Sequence, residues 1–321
     1  MSFADEFPLE ADVVYLNHAA VSPWPARTAA AVAAFANENV HRGAQYYPRW
    51  LEVEQRLRER LQRLIGARSS DEIALLKSTS EGLSVIAQGL DWQPGDKVVI
   101  PSGEFPSNRI VWEALARYGV EVRAIDLYSG TDPEQALIAA IDERTRLVSV
   151  SSVQFDTGLR LDLKRIGLAC ESAGSLFCVD AIQSLGAIPL DVRNIRADFV
   201  VADGHKWLLG PEGLALFYCR RELFDRLRLH QFGWHMIEHL YDFERRDWQP
   251  AASARRFECG SPNMLGIHVL DASLSLLEEL GIDAIAARVL DNTGYLFGRL
   301  AERTAAYRIV TPAQSDRHAG I

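Results

Sequence analysis

Two short stretches hold the residue types best suited to covalent chemistry in this 321-residue chain. Residues 197–217, ADFVVADGHKWLLGPEGLALF, centre on Lys206. Phe199-Val200-Val201-Ala202 reads as a buried strand. Gly210-Pro211-Glu212-Gly213 is a turn signal, and residues 214–218 form a second apolar run. A lysine between buried strands is costly to hold unless it is paired, exposed or chemically committed. On an exposed loop it would simply be solvated. Committed, its amine can form a Schiff base with a carbonyl cofactor such as pyridoxal phosphate (PLP). Upstream, residues 175–179 are strand-like and end at Asp180. A carboxylate against a pyridinium nitrogen keeps that ring protonated, which makes it the better electron sink. In α/β sheets ligands sit at the carboxyl ends of the strands. Asp180 ends one strand and Lys206 follows the next, so both should face one crevice. Taken alone, Asp180 could equally be a helix N-cap.

VDAIQS (179–184) and DGHKWLLGPEG (203–213) resemble the class V aminotransferase family of fold-type I PLP enzymes. That family includes cysteine desulfurases, selenocysteine lyases, kynureninase, isopenicillin N epimerase and several transaminases. The resemblance runs from about Tyr15 to the end of the chain, with the motifs in the family's order. It implies a PLP-dependent enzyme acting on an amino acid through Lys206, as a transaminase or a cysteine desulfurase-like lyase, with epimerisation as an alternative. It also implies a homodimer.

The elements that would position these residues follow the same pattern. Strands alternate with helices from residue 73 to 217, which predicts an α/β fold with a mostly parallel sheet wrapped on both faces. With the resemblance, this becomes the three-layer large domain of a PLP-dependent transferase plus a small C-terminal α+β domain. The expected division is an amino-terminal segment (1–20), a large PLP-binding domain (21–255), and an interface helix with the start of the small domain (256–321). Residues 13–16 read as a short strand, and 26–39 and 50–65 as helices. Further helices are expected at 82–90, 111–118, 132–142, 162–174, 220–229, 264–280 and 282–303, and a strand at 307–310. Members of the family continue for several dozen residues beyond position 321, so the resemblance implies a truncated small domain. The absent part would carry the arginine for the substrate carboxylate and, in desulfurases, the loop with the nucleophilic cysteine.

Several residues gain expected roles from that resemblance. Ser78-Thr79-Ser80-Glu81-Gly82 follows a strand (73–76) and opens a helix, an arrangement that favours an anion through free N–H groups and the helix dipole. Thr79 and Ser80 are the phosphate candidates; a plain N-cap is the other reading. Phe105 stands where many members have a histidine that stacks on the pyridine ring. A phenyl ring can cover the cofactor but cannot move protons. Gln154 and Gln183 are candidates for the PLP 3′-oxygen, and His205 for a neighbour of the phosphate or the lysine linkage. Ile182 stands where the family often places an alanine against the ring. Ser261, in Gly260-Ser261, matches a residue that reaches the phosphate across a dimer interface, or caps the helix that follows. His18, in Asn17-His18-Ala19-Ala20, and His41 and Arg42, in NVHRG (39–43), are substrate candidates. Without the resemblance His41, Arg42 and Gly43 are an ordinary helix end. Asp203 departs from the serine usual in desulfurases. It would repel a phosphate, so it is expected to point elsewhere or bond to His205.

Composition sets outer limits. A formal charge of −9 and 48% hydrophobic residues describe a soluble globular chain and argue against nucleic acid as the main partner. No apolar run approaches the ~18 residues of a membrane span, and the amino terminus lacks a signal-peptide pattern. Cys170, Cys178, Cys219 and Cys259 show no metal-ligand spacing, so no metal site is expected, and a reducing cytoplasm fits. Two other classes stay open: a PLP fold without catalysis, and a nucleotide-binding protein using the Thr79-Ser80 turn. Against the latter, no GxGxxG or GxxxxGK[ST] follows any strand.

Overall fold

Successive side chains of a strand point to opposite faces, and in this protein both faces are covered. The computed structural model describes residues 3–303 and 308–321. Its strands are β1 (Ile73–Leu76), β2 (Lys97–Pro101), β3 (Glu121–Ile125), β4 (Thr145–Ser151), β5 (Leu176–Asp180), β6 (Phe199–Asp203) and β7 (Ala215–Cys219). The helices are α1 (Ala26–Arg42), α2 (Tyr47–Ile65), α3 (Thr79–Gly89), α4 (Ser107–Glu113), α5 (Pro133–Ile138), α6 (Leu163–Ala173), α7 (Met264–Leu280) and α8 (Ile282–Ala301). The strands form one sheet in the order β1-β7-β6-β5-β4-β2-β3. β6, β5, β4, β2 and β3 are parallel. β7 pairs antiparallel with β6 and β1, so it alone among the described strands runs against the rest.

Odd and even strand residues divide into two cores. Phe177 and Val179 of β5, Val148 and Val150 of β4, and Val200 and Ala202 of β6 lie with α2, α6 and α7. Cys178, Phe199, Val201 and Phe217 lie with Leu83 and Ile86 of α3 and with Trp112. Asp180 continues the parity of Leu176 and Cys178, and Asp203 that of Phe199 and Val201. The two carboxylates therefore end adjacent strands on the α3 face of the sheet. The expected α/β three-layer architecture is what the chain forms.

Some expectations change. Residues 13–16 pair with no strand, and Val14 and Leu16 are exposed. This short apolar run pairs with no sheet edge. Instead the amino-terminal segment lies over the carboxyl edge of the sheet. There the Ser22 N–H donates to the His205 carbonyl at 2.9 Å, and Trp24 Nε1 to the Gly210 carbonyl at 3.0 Å. The helix expected from residue 82 begins at Thr79, because Ser78 accepts the Glu81 N–H and caps it. The 111–118 helix is α4 followed by a 3-10 turn, Ala114–Tyr118. The 132–142 helix shortens to α5, capped by Asp132. The 220–229 helix is only a 3-10 turn, Arg221–Arg226. Of the strand expected at 307–310, residue 307 lies outside the described residues and 308–310 have no regular structure.

The loop between β6 and β7 is clamped at its base. The Gly204 N–H donates to the Leu214 carbonyl and the Gly210 N–H to the Gly204 carbonyl. Leu209 sits at φ +60°, a left-handed conformation that costs a non-glycine residue energy. Gly186, at φ +103°, lies against this loop, and a β-carbon there would come within 2.2 Å of the Trp207 carbonyl oxygen. Gly186→Ala should therefore cost about 1–3 kcal/mol or more of stability, read as a shifted midpoint in urea unfolding. An unchanged midpoint would show that the loop yields freely.

Candidate active site

Lys206 sits in that clamped loop, just past the end of β6, and Asp180 ends the neighbouring parallel strand β5. Asp180 is 2% exposed, and its Oδ1 accepts the Ile182 N–H at 3.0 Å. Burial pushes its carboxyl up to about 7, against the pull of that N–H and of Lys206. Burial likewise holds the Lys206 amine below the ordinary lysine value, while Asp180 and Asp203 draw it back up. The Lys206 Nζ stands 5.8 Å from the centroid of the Phe105 ring, which is half exposed and packs edge-on against Phe155. The amine has no hydrogen bond or ion pair with any described residue. Lys206, Asp180 and Phe105 thus meet at the carboxyl edge.

Two helix amino termini converge beside them. Ser80 on α3 donates to the Ser107 hydroxyl at the start of α4, at 2.9 Å. Thr79 is buried, and its N–H donates to Asp203 Oδ2 at 3.1 Å. Asp203 Oδ1 lies 3.7 Å from His205 Nδ1. The expectation that Asp203 turns away or bonds to His205 is corrected in part: it serves chiefly the first N–H of α3, with His205 within ion-pair distance. It stays on the site side because its parity on β6 leaves no other direction.

Among the described residues several buried polar atoms on the segments around Lys206 lack a hydrogen-bond partner, among them Thr79 Oγ1, Gln183 Oε1, His205 Nδ1 and Trp207 Nε1. Buried polar atoms are nearly always satisfied, so this concentration marks a place for a polar ligand. Gln183 Nε2 donates to the Ala19 carbonyl at 3.1 Å, tying the amino-terminal segment to the site. His18 of that segment stacks on Trp207, centroids 5.6 Å apart, and burial lowers its pKa. Gln154 is buried and donates to Glu104 Oε1 and to the Ser151 carbonyl, both at 3.3 Å.

Glu104 is the residue that sequence reading passed over. Its carboxylate accepts the Ser151 N–H at 2.6 Å and the Ser151 hydroxyl, and burial raises its pKa. It fixes both the end of β4 and the Gln154 amide. Its place just past β2 is the signal that could have found it, the same strand-end logic that picked out Asp180.

Three expected site residues lie elsewhere in the chain. His41 and Arg42 are exposed at the carboxyl end of α1, where His41 Nδ1 pairs with the Asn37 carbonyl at 2.8 Å. Ser261 is exposed in a groove lined also by Lys77, Glu81 and Cys259. Ser261 is not the cap of α7; Asn263 is, its Oδ1 accepting the Gly266 N–H at 2.9 Å. One group of possible metal ligands exists among the described residues, Glu54, His235 and Glu258. Arg58 already donates to both carboxylates, 2.6 Å from Glu258, and takes the place a cation would fill.

A family model described as Aminotransferase class-V matches residues 14–321. The chain belongs to the class V aminotransferase family. A probable cysteine desulfurase of Methanothermobacter thermautotrophicus is 34% identical over 285 residues, covering 87% of this chain and 70% of that protein. The apo structure of a cysteine desulfurase from Thermococcus onnurineus NA1 superposes with a TM-score of 0.85 at 27% identity, over 99% of this chain and 80% of that one. A C-DES mutant with glycine covalently linked to its PLP cofactor has the same fold, at TM-score 0.84 and 23% identity, over 91% of this chain and 78% of that one.

As a class V enzyme the protein works with PLP, and the residues present fit that cofactor. A free amine, a buried carboxylate opposite it and a ring to one side are joined by unpartnered donors and acceptors beside a helix amino terminus. Asp203, bonded to the Thr79 N–H, sets a negative charge at that helix terminus.

The Asp180 carboxyl has a measurable consequence. An unfolded aspartate ionises near pH 3.9, whereas the folded one stays protonated until about 7. Folding takes up a proton between these values, so stability falls as pH rises through that window. Asparagine cannot ionise in either state. Cofactor-free Asp180→Asn should therefore match or trail the native protein near pH 4. By about pH 8 it should gain on it by up to ~4 kcal/mol. Urea unfolding at both pH values reads this; a pH-independent difference would mean that Asp180 is not held protonated.

Proposed function

We propose that this class V enzyme removes the α-proton of a cysteine-class amino acid with Lys206 and passes the substrate's sulfur to an attacking thiol, which becomes a persulfide as alanine is left, as a cysteine desulfurase-like lyase. The single observation that carries this is the unpaired Lys206 amine beside the buried Asp180, at the carboxyl edge of a parallel sheet. The cysteine preference rests on the relatives and the Thermococcus structure, whose names state that activity.

PLP, when bound, draws electrons away from the substrate α-carbon. Each protein residue then has a part that its position supports. Lys206 would hold the cofactor covalently until an amino acid takes its place. Its amine, held below the ordinary lysine pKa by burial, would then be the base for the α-proton. Asp180 would face the ring nitrogen and keep a proton on it. That contact would favour the carboxylate over the protonated acid, because an adjacent positive charge lowers a carboxyl pKa. Thr79, Ser80 and His205 would hold the phosphate, and Gln154 and Gln183 the 3′-oxygen, with Glu104 orienting Gln154. Phe105 would cover one face of the ring and Ile182 pack on the other. His18, fixed against Trp207, would line the substrate side; His41, Arg42 and Ser261 would serve the site of a second copy. The exposed aromatic residues Phe232, Phe243 and Trp248 support such a homodimer. No helix among the described residues is long and apolar enough to cross a membrane, and the cytoplasm is the proposed location.

Three of the described cysteines do not offer a sulfur acceptor. Cys170, Cys178 and Cys219 are buried, and burial drives their thiols upward, away from the thiolate. Cys259 is partly exposed, its Sγ 3.2 Å from Gln231 Oε1. Phe105 favours a second reading, transamination, because a phenyl ring moves no proton where many members of the family have a histidine.

One assay separates these readings. PLP-loaded protein given L-cysteine and a reducing thiol should yield sulfide and alanine in equal amounts. Lys206→Ala should lose both products by several orders of magnitude and no longer retain PLP after borohydride reduction and denaturation. A keto acid formed in place of sulfide would select transamination. Covalent PLP in Lys206→Ala would remove the lysine from its role.

A further inference from the structure

The opposite edge of the sheet, where β5 and β6 begin, gathers positive charge. A cavity of about 330 Å³ there is bordered by Leu176 and Asp198. Arg68, Arg193, Arg196, Arg220 and Arg226 line it, against two lining carboxylates, Glu171 and Asp198. The chain as a whole carries −9, so this concentration runs counter to its average. Only Arg220 is closely held, 2.8 Å from Asp198, a buried carboxylate that also accepts the Phe177 N–H at 2.8 Å. The other ion pairs are long: Arg196 to Glu171 at 3.6 Å, Arg193 to Asp191 at 3.5 Å and Arg68 to Glu222 at 3.5 Å. Exposed pairs of that length contribute little. Arg226 has no hydrogen bond or ion pair with any described residue.

The backbone here is committed as well. Arg196 lies at φ +58°, a region that non-glycine residues seldom adopt. The turn is fixed by Asp191, whose Oδ1 accepts the N–H groups of both Arg193 and Asn194. Strained backbone of this kind persists where its surroundings over-determine it, and it clusters at ligand sites. Guanidinium forks match phosphate oxygens in pairs, and several converging on one cavity suit more than one phosphate group. Extended nucleic acid would need stacking rings along a basic groove. The single aromatic residue of the lining, Tyr218, is buried in β7.

We infer that this cavity binds a small polyanion carrying two or more phosphate groups, at the edge of the sheet remote from Lys206. The inference is independent of the reaction assigned above. β5 and β6 run from this cavity to Asp180 and Asp203, so the two sites share their framework without sharing residues.

The test is calorimetric titration of inorganic pyrophosphate into PLP-loaded protein, so that the cofactor's own phosphate cannot be mimicked. Saturable one-to-one binding with a Kd below about 1 mM is expected at low salt, weakening as salt is raised. Arg196→Ala/Arg226→Ala should bind at least about tenfold more weakly while keeping its PLP content and thermal midpoint. Arg226→Ala alone, at an exposed position, supplies the same comparison with a smaller loss should the double variant fold poorly. Absence of saturable binding, equal binding by the variants, or tighter binding of an oligoglutamate peptide than of pyrophosphate would each overturn the assignment.

Discussion

A carboxyl group taken out of water beside an amine is the constraint around which this protein is built. Asp180 is buried at the end of a strand with apolar neighbours on both faces, and that burial raises its pKa. Lys206 bears the matching effect, an amine less readily protonated than usual. Neither state is favourable by itself. The sheet pays the cost through β4, β5 and β6, whose residues fill two dry cores and leave the strand ends no room to turn away. The same surroundings suit each group to a partner: a pyridinium for the carboxyl and a carbonyl for the amine.

The loop of Lys206 is held from several directions. Glycines 204 and 210 close its base through backbone hydrogen bonds, and Gly186 lets a neighbouring turn approach Trp207 closely. The amino-terminal segment adds bonds from Ser22, Trp24 and to Gln183. Such a support limits where the amine can reach, which is what proton removal at one atom requires. Asp203 is the exception to this preparation. It satisfies the first N–H of α3 and so places a negative charge beside the expected phosphate position.

Much of this could be read from residue order. The parallel strands were legible because runs such as Phe177-Cys178-Val179 and Phe199-Val200-Val201 are buried on both faces and carry no polar alternation. Lys206 and Asp180 were legible because strand ends are where such sheets bind ligands. Residues 13–16 misled because a short apolar run shows a preference for extended backbone but not whether an edge is free to pair with it. The start of α3 was misjudged because capping by Ser78 depends on one side-chain bond to Glu81. Glu104 escaped notice because its role lies in two partners distant in sequence, Ser151 at the end of β4 and Gln154. The arginine cavity was invisible for the same reason: its five side chains come from three separate segments.

The central claim is that Asp180 and Lys206 act on each other electrostatically in one crevice. The most direct measurement is the pH dependence of Lys206 reactivity in cofactor-free protein, followed by covalent labelling of that amine and peptide mass analysis. In the native protein the midpoint should lie below the ordinary lysine value of about 10.4. In Asp180→Asn, with the stabilising carboxylate gone, it should fall further. An ordinary midpoint that does not move on removing Asp180 would contradict the account.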